Sequence, residues 1–264
     1  MKIGIVGVGN LGGALAELLL AAGFCRDDMV LVTRESERSV ARCARLGLEP
    51  QKFDLLRNLD VLVVTVKPQD AAAVCEQLRP VLAQDAVVLS MMAGVRCEVV
   101  KELTGHAAVA RAMPNLGAVV GESATAYYVP NECTAAQAAL VERVVKVCGR
   151  IYRVDQEELL DLATAVAGSG PAYLCWLGEQ IEHVAVAEGF SPNEAHSIVL
   201  QTFKGAVAYL EHGGESFSEM RARVTSPHGT TAAALEVLSK SQADEAFRGA
   251  VRAALERSRS LGRH

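Results

Sequence analysis

This sequence has little of what several protein classes require. Its 264 residues carry a formal net charge of −5, so there is no basic field to attract nucleic acid or anionic lipid. The longest uncharged run, Leu162 to Gly178, is short and is interrupted by glycine and proline, which argues against a membrane-spanning helix. The N-terminus enters a strand pattern without a signal peptide. We therefore predict a soluble, cytoplasmic protein that binds neither nucleic acid nor membrane.

Paired cysteines and clustered histidines are also missing. The seven cysteines are odd in number, widely spaced and without a C-x-x-C pair, which is typical of reduced thiols. The six histidines lie far apart, and none has the spacing of a zinc ligand set. We predict reduced cysteines and no bound metal.

The hydrophobic residues, at 50% of the chain, are sufficient for a buried core and follow two patterns. Up to about Val154, apolar β-branched runs alternate with amphipathic stretches, as in a parallel sheet with crossover helices. Such runs are typical of strands covered on both faces. The predicted strands are Lys2–Val6, Val30–Thr33, Val61–Val66, Ala86–Leu89, Ala107–Arg111, Ser123–Val129 and Ile151–Val154.

After Asp155 the strand pattern ends, and only helices are predicted, at about 156–168, 171–189, 192–212, 215–223, 230–240 and 242–262. The segment Pro171–Glu188 is apolar on most faces and has few charges. We infer that it is buried, in part by a second subunit, because closed homodimers are common. The alternative is a central helix of a monomeric bundle.

The run Gly7-Val8-Gly9-Asn10-Leu11-Gly12 matches G-x-G-x-x-G. It follows an apolar strand and opens a helix, Leu11–Ala22. Glycines in this context permit a tight turn and let backbone N–H groups approach a pyrophosphate, so the pattern predicts a dinucleotide site. A purely structural turn is the alternative.

The end of the next strand indicates which dinucleotide is bound. An NAD site usually has an acidic residue there, whereas this chain has Thr33-Arg34, followed by Arg38. A guanidinium suits a 2′-phosphate, so we predict NADPH, with NADH as the alternative. The adjacent Glu35 weakens this signal, and Arg34 as a solvated surface residue is the competing interpretation.

Three further segments follow predicted strands, at the edge of the sheet where ligands bind in open α/β folds. They are Lys67-Pro68-Gln69, the stretch from Ser90 to Gly94, and Met113-Pro114-Asn115. Each segment alone is typical of an ordinary turn. Their coincidence favours a ligand crevice.

The stretch VTSPHGTT, residues 224–231, precedes the predicted helix 230–240. Helix capping needs one side chain, which Thr230 or Thr231 alone can supply, so the other hydroxyls are surplus. A second motif, Gly168-Ser169-Gly170-Pro171-Ala172, favours a helix start within a bundle, because proline suits the first helical position.

The motifs GVGNLG, VKPQ, AGV, MPN, AVAGSGPAY and VTSPHGTT, in this order and spacing, resemble the pyrroline-5-carboxylate reductase family over nearly the whole chain. Members of that family reduce a cyclic imine, 1-pyrroline-5-carboxylate, to L-proline with NADPH or NADH, the last step of proline biosynthesis. The resemblance implies an α/β fold with an N-terminal Rossmann-type dinucleotide-binding domain (1–155) and an all-α dimerisation and substrate-binding domain (156–264). It also implies a homodimer through the helical domain, and higher assemblies of dimers occur.

The resemblance further implies residue roles. It places the cofactor on Gly7, Val8, Gly9, Asn10, Leu11, Gly12, Thr33, Arg34, Val66, Lys67, Pro68, Ala93, Gly94 and Asn115. The substrate carboxylate is expected on Ser226, Gly229, Thr230 and Thr231, in a loop that reaches the site from the partner subunit. Thr231 is the expected catalytic residue, because its hydroxyl lies close to the ring nitrogen in the family.

The chain departs from the family at three places. His228 stands where relatives have a glycine that can serve positive φ, a region that histidine visits more readily than most residues. It either faces solvent or adds a proton donor for the carboxylate. Leu116-Gly117 replaces Thr-Pro, and Lys52 stands near the place of a cofactor-binding asparagine, where it could meet a phosphate. Reduction of a related cyclic imino acid and a non-catalytic cofactor-binding paralogue therefore stay open as alternatives.

Overall fold

The computed structural model describes residues 1–34 and 36–261; Glu35 and the last three residues lie outside the described part. The chain forms two compact units. The N-terminal unit comprises Met1–Ser169 and the C-terminal residues from Ala253, and the helical unit comprises Gly170–Arg252.

Seven strands form a single sheet in the order β2-β1-β3-β4-β5-β6-β7 among the described residues. All seven predicted strands are present, with shifts of a few residues at their ends. They are β1 Ile3–Val6, β2 Met29–Val32, β3 Val61–Val64, β4 Val87–Ser90, β5 Val109–Met113, β6 Ser123–Tyr128 and β7 Gly149–Val154. The order reverses between β1 and β3, which is where ligands bind in doubly wound sheets.

Between Met1 and Ala163, the described residues form six α-helices beside these strands. They are α1 Asn10–Ala21, α2 Glu37–Arg45, α3 Ala71–Leu78, α4 Cys97–Thr104, α5 Ala135–Val145 and α6 Leu159–Ala163. Apolar side chains of β1 to β4 alternate between two clusters: Ile5 and Val63 belong to one, and Val6, Leu62 and Val64 to the other. The prediction that these strands are covered on both faces is confirmed, because residues of both clusters are buried.

Two expectations for the end of the sheet are wrong. First, β6 runs antiparallel to β5. The segment between them contains only the short 3₁₀ helix Leu116–Val120, which is too short for the crossover that a parallel connection needs. Second, β7 is not covered on both faces: it is an edge strand, and Tyr152 on it is 53% exposed.

Charged contacts hold the segment that follows β7 against the sheet and α4 of the N-terminal unit. Arg111, a buried residue of β5, donates from Nη1 to Glu157 Oε1 at 3.1 Å. Arg96 donates to Glu158 Oε1 at 2.9 Å and to Asp161 Oδ2 at 3.3 Å. These pairs hold the segment that leads into α6, and a π-helical turn, Thr164–Gly168, follows it.

The second half of the chain is helical, as predicted. Its helices are α7 Gly170–Ala187, α8 Pro192–Gly213, α9 Phe217–Arg223, α10 Thr230–Lys240 and α11 Ala243–Leu261. Ser191 and Glu194 form a capping box at the start of α8, and Gly214, at φ 63°, ends that helix in the left-handed conformation. None of the helices that the structure describes is long and apolar enough to cross a membrane.

Helix α7 leaves most of its apolar surface uncovered within one chain. Leu174, Trp176, Leu177, Ile181 and Val184 are between 43% and 64% exposed. The alternative of a central helix inside a monomeric bundle is therefore wrong. Apolar side chains in such number on one helix are typical of a surface that another protein subunit covers.

Candidate functional site

The turn between β1 and α1 is held by contacts to both neighbouring strands. The Gly7 N–H donates to the Val32 carbonyl at 2.8 Å, and the Thr65 hydroxyl donates to the Gly7 carbonyl at 2.6 Å. Gly7 has φ 100°, a conformation that favours glycine. A Cβ on Gly12 would overlap the Gly7 carbonyl oxygen, so helix and turn can approach this closely only with glycine at position 12.

The start of α1 is open to an anion. Gly9 occupies the N-cap position without a side-chain hydrogen bond, and the first turn contains no acidic residue. A Cβ at Gly9 would meet nothing within 4 Å, so free space lies directly in front of the helix. The first N–H groups of a helix and the positive end of its dipole attract phosphate, and these residues therefore fit the pyrophosphate of a dinucleotide.

A groove of about 670 Å³ extends from this turn between β2 and α3. It brings together seven of the residues predicted for the cofactor: Gly7, Val8, Gly9, Thr33, Arg34, Val66 and Lys67. The motifs after β1, β2 and β3 thus meet in one place, as expected for the carboxyl ends of parallel strands.

Other predicted residues lie outside the lining of the groove. Asn10 accepts a hydrogen bond from Arg42 Nη2 at 3.1 Å, and Pro68 begins a short 3₁₀ helix. Gly94 has φ 73° in the turn after β4. Leu11, Gly12 and Ala93 likewise do not line the groove, and neither does Lys52, which is exposed beside Phe53, a lining residue.

Ser36, Ser39 and Asp70 are groove residues that the sequence prediction missed. Ser36 caps α2 by accepting from the Ser39 N–H at 3.3 Å, and its hydroxyl donates to the Ser39 hydroxyl at 2.9 Å. A serine followed by a charged helical stretch, a few residues after a predicted strand, is the sequence signal that could have found this pair. Asp70 forms an ion pair with Arg34. Because the two residues are far apart in the sequence, no local pattern indicates that they meet.

The turn after β5 is fixed by Asn115. Its N–H donates to the Ser123 hydroxyl at 2.9 Å, and its side-chain amide donates to the Ala167 carbonyl at 3.1 Å. The amide oxygen accepts from the Gly117 N–H at 3.0 Å. These bonds position the turn, while Leu116 beside it is 72% exposed.

The loop before α10, in the helical unit, leaves the start of that helix uncapped. The N-cap residue is Gly229, which has no side chain, so the expectation that Thr230 or Thr231 caps the helix is wrong. A Cβ on Gly229 would overlap the Ser226 hydroxyl oxygen. Within the described part of this unit, the hydroxyls of Ser226, Thr230 and Thr231 make no hydrogen bond, which leaves three donors beside free helical N–H groups.

His228 adopts the left-handed conformation, with φ 59°, and its side chain is exposed. The expectation that position 228 serves positive φ is thereby confirmed. Histidine tolerates this region better than most residues, so the loop keeps a backbone shape that glycine would adopt more easily.

Comparisons with known proteins agree with these features. Residues 157–261 match the family described as pyrroline-5-carboxylate reductase dimerisation, and residues 2–94 match "NADP oxidoreductase coenzyme F420-dependent". Pyrroline-5-carboxylate reductase 2 of Bacillus subtilis is 31% identical, covering 98% of this chain and 95% of that protein. The chain belongs to the pyrroline-5-carboxylate reductase family.

Solved structures of pyrroline-5-carboxylate reductases share the fold. That of Coxiella burnetii superimposes with a TM-score of 0.90 at 29% identity and covers 98% of both chains. That of Plasmodium falciparum, solved with NADP bound, gives a TM-score of 0.87 at 27% identity and covers 99% of this chain and 98% of the other. The family resemblance and the fold class inferred from the ordered motifs are confirmed.

We expect the two glycines of the turn to respond differently to alanine. Gly12→Ala should lower the free energy of unfolding by about 1–3 kcal/mol, because the added Cβ overlaps the Gly7 carbonyl oxygen. Gly9→Ala, the matched control, should stay within about 1 kcal/mol of the parent, since its Cβ enters open space. Urea denaturation at fixed protein concentration measures both, and equal losses would contradict this account of the turn.

We expect position 228 to tolerate glycine and reject a β-branched residue. His228→Val should lower the free energy of unfolding by about 1 kcal/mol or more, because valine at positive φ is strained. His228→Gly should lie within about 0.5 kcal/mol of the parent. Chemical denaturation of both variants checks this, and a valine variant as stable as the glycine variant would show that the backbone at position 228 is not left-handed.

Proposed function

We propose that this chain is an NADPH-dependent reductase that converts 1-pyrroline-5-carboxylate to L-proline. A hydride adds to the carbon of the cyclic C=N bond and a proton to its nitrogen, which gives the secondary amine. The observation that carries the proposal is the match to pyrroline-5-carboxylate reductase 2 of Bacillus subtilis along nearly the whole chain. The glycine turn and the hydroxyl-rich loop before α10 supply the chemistry that this reaction needs.

The groove of the N-terminal unit fits the cofactor. The uncapped start of α1 would hold the pyrophosphate, and Thr33, Arg34, Val66 and Lys67 would contact the remainder. Pro68, Ala93, Gly94 and Asn115 belong to turns that follow β3, β4 and β5, and we assign them to the same ligand. When bound, NADPH supplies the hydride. NADH is the second candidate, because Arg34 shares the groove with a carboxylate.

The loop before α10 would hold the substrate. The free N–H groups of that helix and the hydroxyls of Ser226, Thr230 and Thr231 suit a carboxylate, and the absence of a side chain at Gly229 lets the Ser226 hydroxyl lie against the start of the helix. We assign Thr231 as the donor to the ring nitrogen. A protonated imine is already a good hydride acceptor, so positioning and electrostatic stabilisation can provide most of the acceleration without a strong acid.

We propose that the active protein is a homodimer formed through the helical domain, residues 156–264. The exposed apolar side chains of α7 support this, together with the match of residues 157–261 to a dimerisation family. We assign the cofactor to a domain of residues 1–155, which lies within the compact N-terminal unit. An assembly of several dimers is a further proposal, which rests on the family alone.

We also propose a cytoplasmic location. All seven cysteines are free thiols. Burial raises the pKa of Cys148 to about 11 and also raises the pKa values of Cys43 and Cys75. Protonated, buried thiols are inert, and free thiols of this kind are typical of a reducing compartment.

The direct test is turnover. When 1-pyrroline-5-carboxylate is added, we expect NADPH to be oxidised and L-proline to form. The decrease in NADPH absorbance measures the rate. A panel of five- and six-membered cyclic imino acids compares kcat/KM between substrates. A preference for six-membered rings would favour the second candidate, a related imine reductase, which the exposed Leu116 and His228 motivate. NADPH binding without turnover of any imine would contradict the proposal and indicate a non-catalytic paralogue.

We expect Thr231→Ala to lower kcat by about 10²-fold or more, because it removes one donor that acts in the transition state. Thr231→Ser keeps the hydroxyl and should retain most of the activity. Thr225→Ala is the matched control, since the Thr225 hydroxyl is already bonded to the Arg221 carbonyl at 2.6 Å. Steady-state kinetics of the three variants measure the effect, and an unchanged kcat in Thr231→Ala would remove Thr231 from the mechanism.

A further inference from the structure

Two opposite charges face each other in the groove of the N-terminal unit. Arg34 follows β2, Asp70 precedes α3, and the guanidinium Nη2 pairs with the carboxylate Oδ2. The Arg34 side chain is 75% exposed, whereas that of Asp70 is 26% exposed. Both residues line the groove, together with the hydroxyl-bearing Ser36 and Ser39. The pair therefore occupies the ligand-binding surface rather than a remote part of the protein.

The Asp70 side chain contributes little to the stability of the fold. It occupies the N-cap position of α3, yet its side chain makes no capping hydrogen bond. An ion pair with a partner as exposed as Arg34 contributes little to stability, because water screens it. The carboxylate is therefore best explained by what it does in the groove.

The two side chains suit different forms of the same ligand. A guanidinium binds a phosphate group through a planar pair of donors, which favours a 2′-phosphorylated ribose. A carboxylate accepts a hydrogen bond from a free ribose 2′-hydroxyl, as acidic residues do in NAD sites. A 2′-phosphate must also compete with Asp70 for Arg34 and is repelled by its charge. A ribose with a free 2′-hydroxyl neither competes with Asp70 for Arg34 nor is repelled by the Asp70 charge.

We propose that Asp70 sets the cofactor preference of this enzyme by opposing Arg34. Arg34 attracts the 2′-phosphate of NADPH, and Asp70 weakens that attraction while offering an acceptor to the 2′-hydroxyl of NADH. The chain consequently accepts both cofactors with only modest discrimination. This inference rests on the proposed function, since it takes the groove to be the dinucleotide site, and it adds a specificity residue on the β3 side of that site.

The test measures binding rather than turnover. Isothermal titration calorimetry of the full-length protein with NADP⁺ and NAD⁺ gives the ratio of the two dissociation constants. Asp70→Asn should change this ratio by about tenfold in favour of NADP⁺, because it removes the competing charge and keeps the side-chain shape. Arg34→Gln should change it by about tenfold in the other direction. The effect of Asp70→Asn should shrink in high salt, where surface charges are screened.

Glu76→Gln is the matched control, because it removes one negative charge from α3, the helix that follows Asp70, at a position that does not line the groove. For this variant, the ratio of the dissociation constants for NADP⁺ and NAD⁺ should equal that of the parent protein. Asp70→Ser is a second variant, and thermal melting checks that each protein is folded. If Asp70→Asn and Asp70→Ser match Glu76→Gln, or if Arg34→Gln leaves the ratio unchanged, the inference is overturned while the proposed function stands. A parent protein that binds neither dinucleotide would overturn both.

Discussion

The hydrogen bonds around Gly7 join three strands of the sheet at the point where the groove begins. The Gly7 N–H is bonded to β2 and its carbonyl to Thr65, which directly follows β3. The backbone can make both bonds and turn into α1 only because Gly7 adopts positive φ and Gly12 lets the helix approach. The same geometry leaves the first N–H groups of α1 without a cap, so the requirements of folding and of anion binding are met by the same glycines.

The start of α10 repeats this arrangement in the helical unit with different side chains. Gly229 takes the cap position, Ser226 packs against it, and His228 supplies the left-handed residue that lets the loop turn. A capping side chain there would satisfy the helix and remove its capacity for a carboxylate. Both proposed ligand sites thus depend on helix starts that lack a capping side chain and have polar groups nearby.

The charged side chains that line the groove are of both signs. Arg34 and Lys67 bring positive charge, and Asp70 sets a carboxylate against the first of them. A groove with only cations would bind any phosphate tightly but would discriminate poorly against other anions. In the binding mode that we propose, the opposing carboxylate makes recognition depend on what the ribose carries at its 2′ position, which is a property of the pair and of neither residue alone.

Local sequence patterns are sufficient to predict most of the secondary structure of this protein and its family. Apolar runs and helical periodicity predicted all seven strands and the helices after Asp155, because these signals depend on neighbours in the chain. The ordered motifs indicated the family, and the glycine run indicated an anion-binding turn. Positive φ at position 228 also followed from the residue type that relatives have there.

Contacts between distant parts of the chain decided the rest. The reversed direction of β6 depends on the short connection from β5, and the exposure of Tyr152 depends on its strand lying at the edge of the sheet. Asp70 meets Arg34 because two parallel strands end at the same edge, although 36 positions separate them in the chain. Apolar composition predicted that α7 would be covered, but only the folded chain, which leaves Trp176 and Val184 exposed, showed that its own subunit does not cover it. Sequence patterns report what each segment prefers, whereas pairing across space depends on how the assembled strands and helices bring those segments together.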